Sequence, residues 1–298
     1  MTEDEKNRQK NDAQPGDIAQ RDLVAHSGDT GLAARGEPAA AGLDVVETSV
    51  EIETPDGTSD GAFVHPKTGS YPGVLLWTDA FGLRPAIREM AKRLAAEGYS
   101  VLVPNPFYRV AGAPRWEPAN FNFQNPVDRA KLVPLMASVN SPGNAEKDAA
   151  RYVAFLDARK EVNREKKIGT QGYCMGGPLV VRTAGALPDR IGAGASFHGG
   201  GLVTGKPDSP HLLAPKIRAQ MYFAVAESDD ARQPDAKDKL REAFAAAKVA
   251  VEIELYPKTL HGWCVPDMPL HDGVPIYDQP AAEHAWGKLV ALYKRALA

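Results

Sequence analysis

The chain has 298 residues, of which 43% are hydrophobic and 24% are charged. These values are typical of a globular protein and exclude the collagen-like, fully disordered and disulfide-scaffold classes. The net charge of −3 argues against a nucleic acid or an anionic membrane surface as a partner, because binding to phosphate groups requires concentrated Lys and Arg.

Cysteine usage and the N-terminus bear on where the protein works. Two cysteines cannot build a disulfide framework, and so low a count fits a reducing cytosol. The N-terminus, MTEDEKNRQK, has no apolar run behind it, and no segment approaches the ~20 apolar residues of a membrane span. We therefore expect a cytoplasmic protein without a membrane partner, and either a monomer or a homodimer.

Residues 1–44 differ in composition from the rest of the chain. They hold nine acidic and five basic residues, few large apolar residues and no sustained periodicity. Low hydrophobicity with excess charge favours a flexible or loosely docked extension. We therefore predict an N-terminal extension over residues 1–44 and one folded domain over residues 45–298.

The folded domain begins with an alternation of apolar and polar residues from Val46 to Glu53, which predicts a half-exposed strand. Val74–Trp77 is apolar on both faces, as is typical of a central parallel strand. Further strands are predicted over 101–103, 167–173, 191–197, 220–226 and 251–256, and helices over 85–97, 144–159, 176–186, 236–248 and 281–297. This order predicts an α/β fold, a mostly parallel sheet with helices on both faces.

Two segments of this domain stand out. Residues 104–143 are rich in proline and predict a long irregular excursion, of the kind that usually carries function. Gly172-Tyr173-Cys174-Met175-Gly176 lies between an apolar strand and an apolar helix, which is the cysteine form of a nucleophile elbow. The glycines are needed because side chains at 172 and 176 would collide with the neighbouring strand and helix.

A nucleophile needs a base, and the chain order expected for this fold is nucleophile, acid, histidine. Asp229 follows one predicted strand, 55 residues after Cys174, and His261 follows the next, 32 residues later. Each is therefore expected on a loop at the sheet edge that carries Cys174. The carboxylate would fix the tautomer of the imidazole, and the imidazole would manage the proton of the sulfur. Asp230 is the alternative acid.

Other candidates are weighed against simpler structural roles. Cys174 has the alternative of a buried structural cysteine in a tight turn. His198 precedes Asp229 in the chain and is interpreted as pocket lining or a partner in a loop hydrogen bond. His211, His271 and His284 show no ligand spacing, so no metal site is expected.

The segments together resemble the dienelactone hydrolase family of α/β-hydrolases, from about residue 45 to residue 298. The resemblance rests on the motifs D-A-F-G-L at 79–83, P-F-Y-R at 106–109, G-Y-C-M-G-G at 172–177, A-x-x-D at 226–229 and L-H-G at 260–262. It implies the α/β-hydrolase fold and a triad of Cys174, Asp229 and His261.

The resemblance also implies roles for the turn at residue 79. In the family a glutamate precedes the Phe-Gly pair, keeps the resting cysteine protonated and helps to release the thiolate when substrate binds. Asp79 occupies that position here, which implies a catalytic role for it. The backbone N–H groups of Ala80 and Met175 would form the oxyanion hole, where each donor is typically worth about 3–4 kcal/mol of barrier.

Substrate contacts follow from the same resemblance. Arg109 matches one of two arginines that hold the carboxylate of a lactone in the best-known members. The second arginine, expected just after the histidine, is absent from residues 262–267. Phe81, Tyr173 and Trp263, which adjoin the motifs, are the other predicted substrate contacts.

The sequence thus predicts a cysteine-dependent hydrolase of a small ester or lactone, working through an acyl-enzyme and without a metal or organic cofactor. Two alternatives stay open. One is a binding protein that keeps the fold but has lost activity, and the other is a thiol redox protein that uses Cys174 and Cys264.

Overall fold

The computed structural model describes residues 42–112, 118, 121–122 and 125–298 of the chain. The folded unit begins at Gly42. The prediction of a flexible extension over 1–44 therefore lies almost entirely outside the described residues. Among the described residues, no helix has both the length and the apolar content to cross a bilayer.

The centre of the fold is a sheet of eight strands in the order β1-β2-β4-β3-β5-β6-β7-β8, so that β1 and β8 are its edges. The strands β1 and β2 pair antiparallel, as do β2 and β4, and the pairs from β4 to β8 are parallel. The strand bounds are β1 Val45–Thr54, β2 Gly57–Pro66, β3 Gly73–Trp77, β4 Ser100–Pro104, β5 Ile168–Tyr173, β6 Ile191–Phe197, β7 Gln220–Ala226 and β8 Val251–Tyr256.

Helices cover both faces of this sheet. Their bounds are α1 Pro85–Ala96, α2 Pro126–Asn140, α3 Asn144–Asp157, α4 Gly176–Ala186, α5 Glu227–Arg232, α6 Ala236–Ala246 and α7 Gln279–Ala296. The apolar sides of α3, α4 and α6 pack into one core cluster, whereas those of α1 and α7 pack into the other. A short two-stranded ribbon, β9 Leu270–His271 with β10 Val274–Pro275, lies apart from the sheet. The predicted α/β architecture is confirmed.

The expectation for residues 104–143 was wrong in part, since α2 lies inside them. Asn125 caps this helix by accepting a hydrogen bond from the N–H of Val127, and Pro126 occupies its first turn, where the missing N–H costs nothing. Pro134 lies within the helix. Because proline is normally a breaker there, the sequence pattern favoured irregular structure.

Candidate active site

The turn after β5 has the geometry of the predicted nucleophile elbow. Cys174 has a φ of 52°, in the left-handed region that residues with a side chain seldom adopt. A Cβ on Gly172 would lie 2.3 Å from the carbonyl oxygen of Gly176, and a Cβ on Gly176 would lie 2.7 Å from the carbonyl oxygen of Trp77. Both glycines are therefore required by close backbone approach.

His261 joins the two other predicted members of the site. Its Nδ1 lies 3.0 and 2.8 Å from the two carboxylate oxygens of Asp229, and its ring also interacts electrostatically with the side chain of Cys174. The backbone N–H of His261 donates to Ser228 Oγ at 2.9 Å, which fixes the loop after β8. Asp229 lies in the first turn of α5 rather than on the loop that was expected. Asp230, the alternative acid, pairs instead with Lys237 at 2.7 Å.

The surroundings of His261 favour its charged form. Burial opposes the charge, but the interactions with Cys174 and Asp229 outweigh burial and raise the pKa of His261 to about 10. The side chain is 27% exposed, so it remains within reach of a small molecule. An imidazolium beside a cysteine is the arrangement that holds a thiolate ready for attack.

The two backbone amides predicted to form an oxyanion hole are those of Ala80 and Met175. Ala80 follows β3, and Met175 directly precedes α4, so that both lie at the sheet edge that carries Cys174. Neither amide N–H donates a hydrogen bond to a group within the described part of the chain. Free amides at a helix N-terminus suit an anionic oxygen.

The carboxylate of Asp79 has partners other than Cys174. Its carboxylate oxygens accept hydrogen bonds from the guanidinium of Arg84 at 2.7 and 2.9 Å and from the N–H of Phe81 at 2.9 Å. Arg84 also donates to both carboxylate oxygens of Asp267. Since Asp79 and Arg84 are both buried, this is a structural ion pair that shapes the turn carrying Ala80.

The placement of Arg109 disfavours the predicted contact with a substrate carboxylate. Its guanidinium donates to Asp148 and to Asp56, with distances of 2.7–3.0 Å, and stacks on the ring of Tyr108. Only 1% of the Asp148 side chain is exposed, so this carboxylate depends on Arg109 for its charge balance. Arg109 thereby ties the β1–β2 turn to α3.

The three predicted aromatic contacts have different surroundings. Phe81 is buried beside Ala80 and packs edge-on against Phe121. Tyr173 stacks on Phe197, and Trp263 stacks on Tyr256, both in the core cluster beneath α1 and α7. Tyr173 and Trp263 are therefore core residues rather than substrate contacts, because their side chains point away from the elbow into the packed face.

The two cysteines lie in different core clusters. Cys264 is buried with Tyr173 and Trp263, whereas Cys174 packs against the opposite core cluster, and both thiols are free. Within residues 42–112, 118, 121–122 and 125–298, no group of three His, Cys, Asp or Glu side chains has the geometry to hold a metal ion.

Sequence reasoning underrated His198. Its ring is buried edge-to-face against His261, with 4.9 Å between ring centroids, and it lines a pocket as was expected. The expected loop hydrogen bond of the ring is not formed, since neither ring nitrogen has a partner among the described residues. The available signal was its place at the end of β6, on the same sheet edge as Cys174.

Comparisons with known proteins identify the family of the chain. The model of the dienelactone hydrolase family matches residues 60–297. The chain is 28% identical over 253 residues to the protein usf of Aquifex pyrophilus, covering 83% of this chain and 98% of the relative. It is 26% identical over 257 residues to a carboxymethylenebutenolidase of Rhodococcus opacus, covering 84% and 92% respectively.

A solved structure extends the likeness to the fold. A dienelactone hydrolase-like promiscuous phosphotriesterase from metagenomic libraries superposes with a TM-score of 0.66 at 20% identity, over 85% of this chain and 99% of that one. The family match spans nearly the whole folded unit and includes every motif named above. The chain therefore belongs to the dienelactone hydrolase family and is a carboxymethylenebutenolidase-like hydrolase.

Proposed function

We propose that the protein hydrolyses a small ester or lactone through a triad of Cys174, His261 and Asp229. The observation that carries this proposal is the position of His261, whose Nδ1 hydrogen-bonds to Asp229 and whose ring interacts electrostatically with the side chain of Cys174. This is the order of contacts that nucleophilic catalysis requires, with the base between the nucleophile and an orienting carboxylate.

In the first step the Cys174 thiolate adds to the carbonyl carbon of the substrate. The tetrahedral intermediate then loses its alkoxy group as the C–O bond breaks, and His261 gives its proton to that oxygen. The product of this step is a thioester on Cys174. In a lactone the alcohol stays tethered to the acyl group, because the bond that breaks is part of the ring.

In the second step water attacks the thioester carbon and gives a proton to His261. The C–S bond breaks, the carboxylic acid leaves, and the thiolate and imidazolium are restored. Asp229 stays ionised throughout, keeps the ring in one tautomer and stabilises its positive charge.

The free amides of Ala80 and Met175 support a role as oxyanion donors in both steps. Each would stabilise the negative oxygen of the tetrahedral intermediate more than the neutral carbonyl of the substrate, which is the condition for a rate effect. The Asp79–Arg84 pair acts here indirectly, because it holds the turn in which Ala80 lies.

Activation of the nucleophile then depends on His261 alone. Both carboxylate oxygens of Asp79 accept hydrogen bonds from Arg84, and Oδ1 also accepts one from the N–H of Phe81, so the carboxylate is already paired with a buried cation. We therefore expect activation of Cys174 not to require Asp79, in contrast to the substrate-triggered release that the family resemblance implies.

The test compares wild type with Cys174→Ser and, as a matched control, Cys264→Ser. Turnover of a p-nitrophenyl ester and of a dienelactone would be measured, with iodoacetamide labelling and intact-mass detection of the acyl-enzyme. We expect a loss of about 10³-fold or more for Cys174→Ser and near wild-type turnover for Cys264→Ser. Full activity in Cys174→Ser would refute the thiol mechanism, whereas loss of activity in Cys264→Ser alone would favour a redox role.

A further inference from the structure

A cavity of about 130 Å³ lies behind the Asp229–His261 pair. Its walls come from the end of β6, the glycine-rich loop over residues 199–201, and the inner side of α6 at Leu240. Asp229 and His198 both line it, but neither Cys174 nor His261 does. The cavity is thus distinct from the point of nucleophilic attack, although it adjoins the groups that orient the base.

Three buried polar atoms at this cavity have no hydrogen-bond partner among the described residues. They are both ring nitrogens of His198 and the hydroxyl oxygen of Ser196. Both residues are only 1% exposed. Because a buried donor or acceptor without a partner is destabilising, three such atoms around one space call for a ligand that satisfies them.

The electrostatics of the cavity favour a neutral ligand. Burial and the nearby His261 hold the pKa of His198 well below its usual value, so its ring offers one donor and one acceptor. The charged groups that face the cavity already have partners of opposite charge. Asp230 pairs with Lys237, and Asp229 pairs with His261 and, at 3.5 Å, with Arg232. A space of this volume holds a few water molecules at about 30 Å³ each.

The backbone of His198 is fixed by its conformation and by a hydrogen bond. Its φ of 39° is left-handed, and its N–H donates to the carbonyl of Ala224 at 2.8 Å. Next to it, the N–H of Gly200 donates to the carbonyl of Cys174 at 3.3 Å. The ring that packs edge-to-face on His261 therefore belongs to a segment that is hydrogen-bonded to the nucleophile elbow.

We propose that the cavity is a binding site for ordered water, held by His198 and Ser196 and bridging to Asp229, and that His198 is a positioning residue for the base. This rests on the proposed function, in which Asp229 orients His261. The water and the ring of His198 together fix the carboxylate and the imidazole in the orientation that both proton transfers need.

The site itself is tested without reference to activity. A crystal structure of the full chain at about 1.5 Å resolution or better should show water within about 2.7–3.2 Å of a His198 ring nitrogen and of Ser196 Oγ. A Ser196→Ala structure should lose the second of these contacts and retain the first. A cavity without ordered water, or His198 nitrogens bonded to protein groups, overturns the proposal whatever the enzyme does.

The positioning role is tested by two substitutions at His198. His198→Phe keeps an aromatic ring against His261 but removes both nitrogens, and we expect kcat for a p-nitrophenyl ester to fall about tenfold with KM within about twofold. His198→Asn tolerates the left-handed backbone and restores a donor and an acceptor, so it should recover most of kcat.

The matched control is Leu202→Val, which trims an apolar part of the same wall and should leave kcat within about twofold of wild type. Equal losses of kcat in the Phe and Asn variants, or wild-type kcat in the Phe variant, contradict a positioning role. If instead Cys174→Ser retains full activity, the proposed function fails, and the crystallographic result on the water site still stands.

Discussion

Asp79 is one methylene shorter than the glutamate expected at its position, and it pairs with a different kind of group from the one predicted. Its carboxylate meets the buried guanidinium of Arg84, whose pKa is raised because the attraction of Asp79 and Asp267 outweighs the burial that opposes it. Asp267 lies 183 residues from Arg84 in the sequence. No local pattern could reveal the contact between Arg84 and Asp267, and the family resemblance assigned Asp79 a catalytic role without regard to Arg84.

Replacing Asp79 with Asn should destabilise the protein strongly. The change leaves Arg84 buried with one carboxylate instead of two, and we expect the free energy of unfolding to fall by about 3 kcal/mol in urea denaturation. The control is Asp189→Asn, which breaks an exposed pair with Arg218 and should cost at most about 1 kcal/mol. Similar losses of unfolding free energy in the two variants would show that the buried Asp79–Arg84 pair contributes no more to stability than an exposed pair.

The raised pKa of His261 makes stability depend on pH in a defined direction. Its folded-state pKa of about 10 lies above the ordinary value of 6.5, so the stabilisation is fully present below about pH 6.5 and is lost as the pH rises through about 10. We expect the Tm of wild type to exceed that of His261→Gln at pH 6, with the difference closing by about pH 10.5.

The control for this pH series is His271→Gln, because the His271 side chain is 52% exposed. Its Tm should follow that of wild type at every pH. A difference between wild type and His261→Gln that stays constant from pH 6 to pH 10.5 would contradict the linkage.

At the level of single elements, the ends of helices and strands were predicted best where the sequence has a clear hydrophobic pattern. The helix α4 and the strands β6, β7 and β8 begin and end at the predicted residues. The strands β6 and β7 are mostly apolar runs, whereas β8 alternates apolar and acidic residues, and both patterns are typical of strands. The helices α2 and α5 were not predicted. The first carries Pro126 and Pro134, and the second has only six residues and no buried side chain to produce a periodic pattern.

The elbow between β5 and α4 should tolerate no side chain at Gly176. In Gly176→Ala the new Cβ meets the backbone oxygens of Trp77 and Thr78 at 2.7 and 2.8 Å, so backbone must move. We expect a loss of about 1–3 kcal/mol in the free energy of unfolding and a fall in kcat, measured by urea denaturation and ester turnover.

Gly287 provides the contrast, because a Cβ there meets nothing within 4 Å in the middle of α7. Gly287→Ala should stabilise the protein by about 0.5–1 kcal/mol and leave turnover unchanged. A stable and fully active Gly176→Ala variant would contradict this prediction, because it would show that the elbow can accommodate a side chain at residue 176.

For the molecule as a whole, the parallel order of β4 to β8 brings residues that are distant in sequence to one edge. Cys174, Asp229 and His261 follow β5, β7 and β8, which are parallel strands, so the carboxyl ends of these strands lie at the same edge of the sheet. This is why the arrangement of the site could be predicted from one sequence. Contacts made by long side chains, such as those of Arg84 and Arg109, could not, since they depend on where loops meet.

Arg109 should act on the stability of the whole domain rather than on substrate choice. Arg109→Met leaves Asp148 buried without its ion-pair partner, and we expect the free energy of unfolding to fall by about 3 kcal/mol. The ratio of kcat/KM for a carboxylate-bearing lactone to that for a neutral ester should stay within about twofold of wild type. A selective loss of kcat/KM on the carboxylate-bearing substrate would support the predicted contact between Arg109 and the substrate.

The position of β1 and β8 at the two edges of the sheet has a consequence for solubility. Unpaired edge strands are the usual route by which sheets join into aggregates. Here Glu47, Glu51 and Glu53 lie along one edge strand, and Glu252 and Glu254 lie along the other. Glu47, Glu252 and Glu254 are paired with Arg88, Lys288 and His284 respectively. A second sheet that paired with either edge would have to desolvate these charged groups, which disfavours polymerisation.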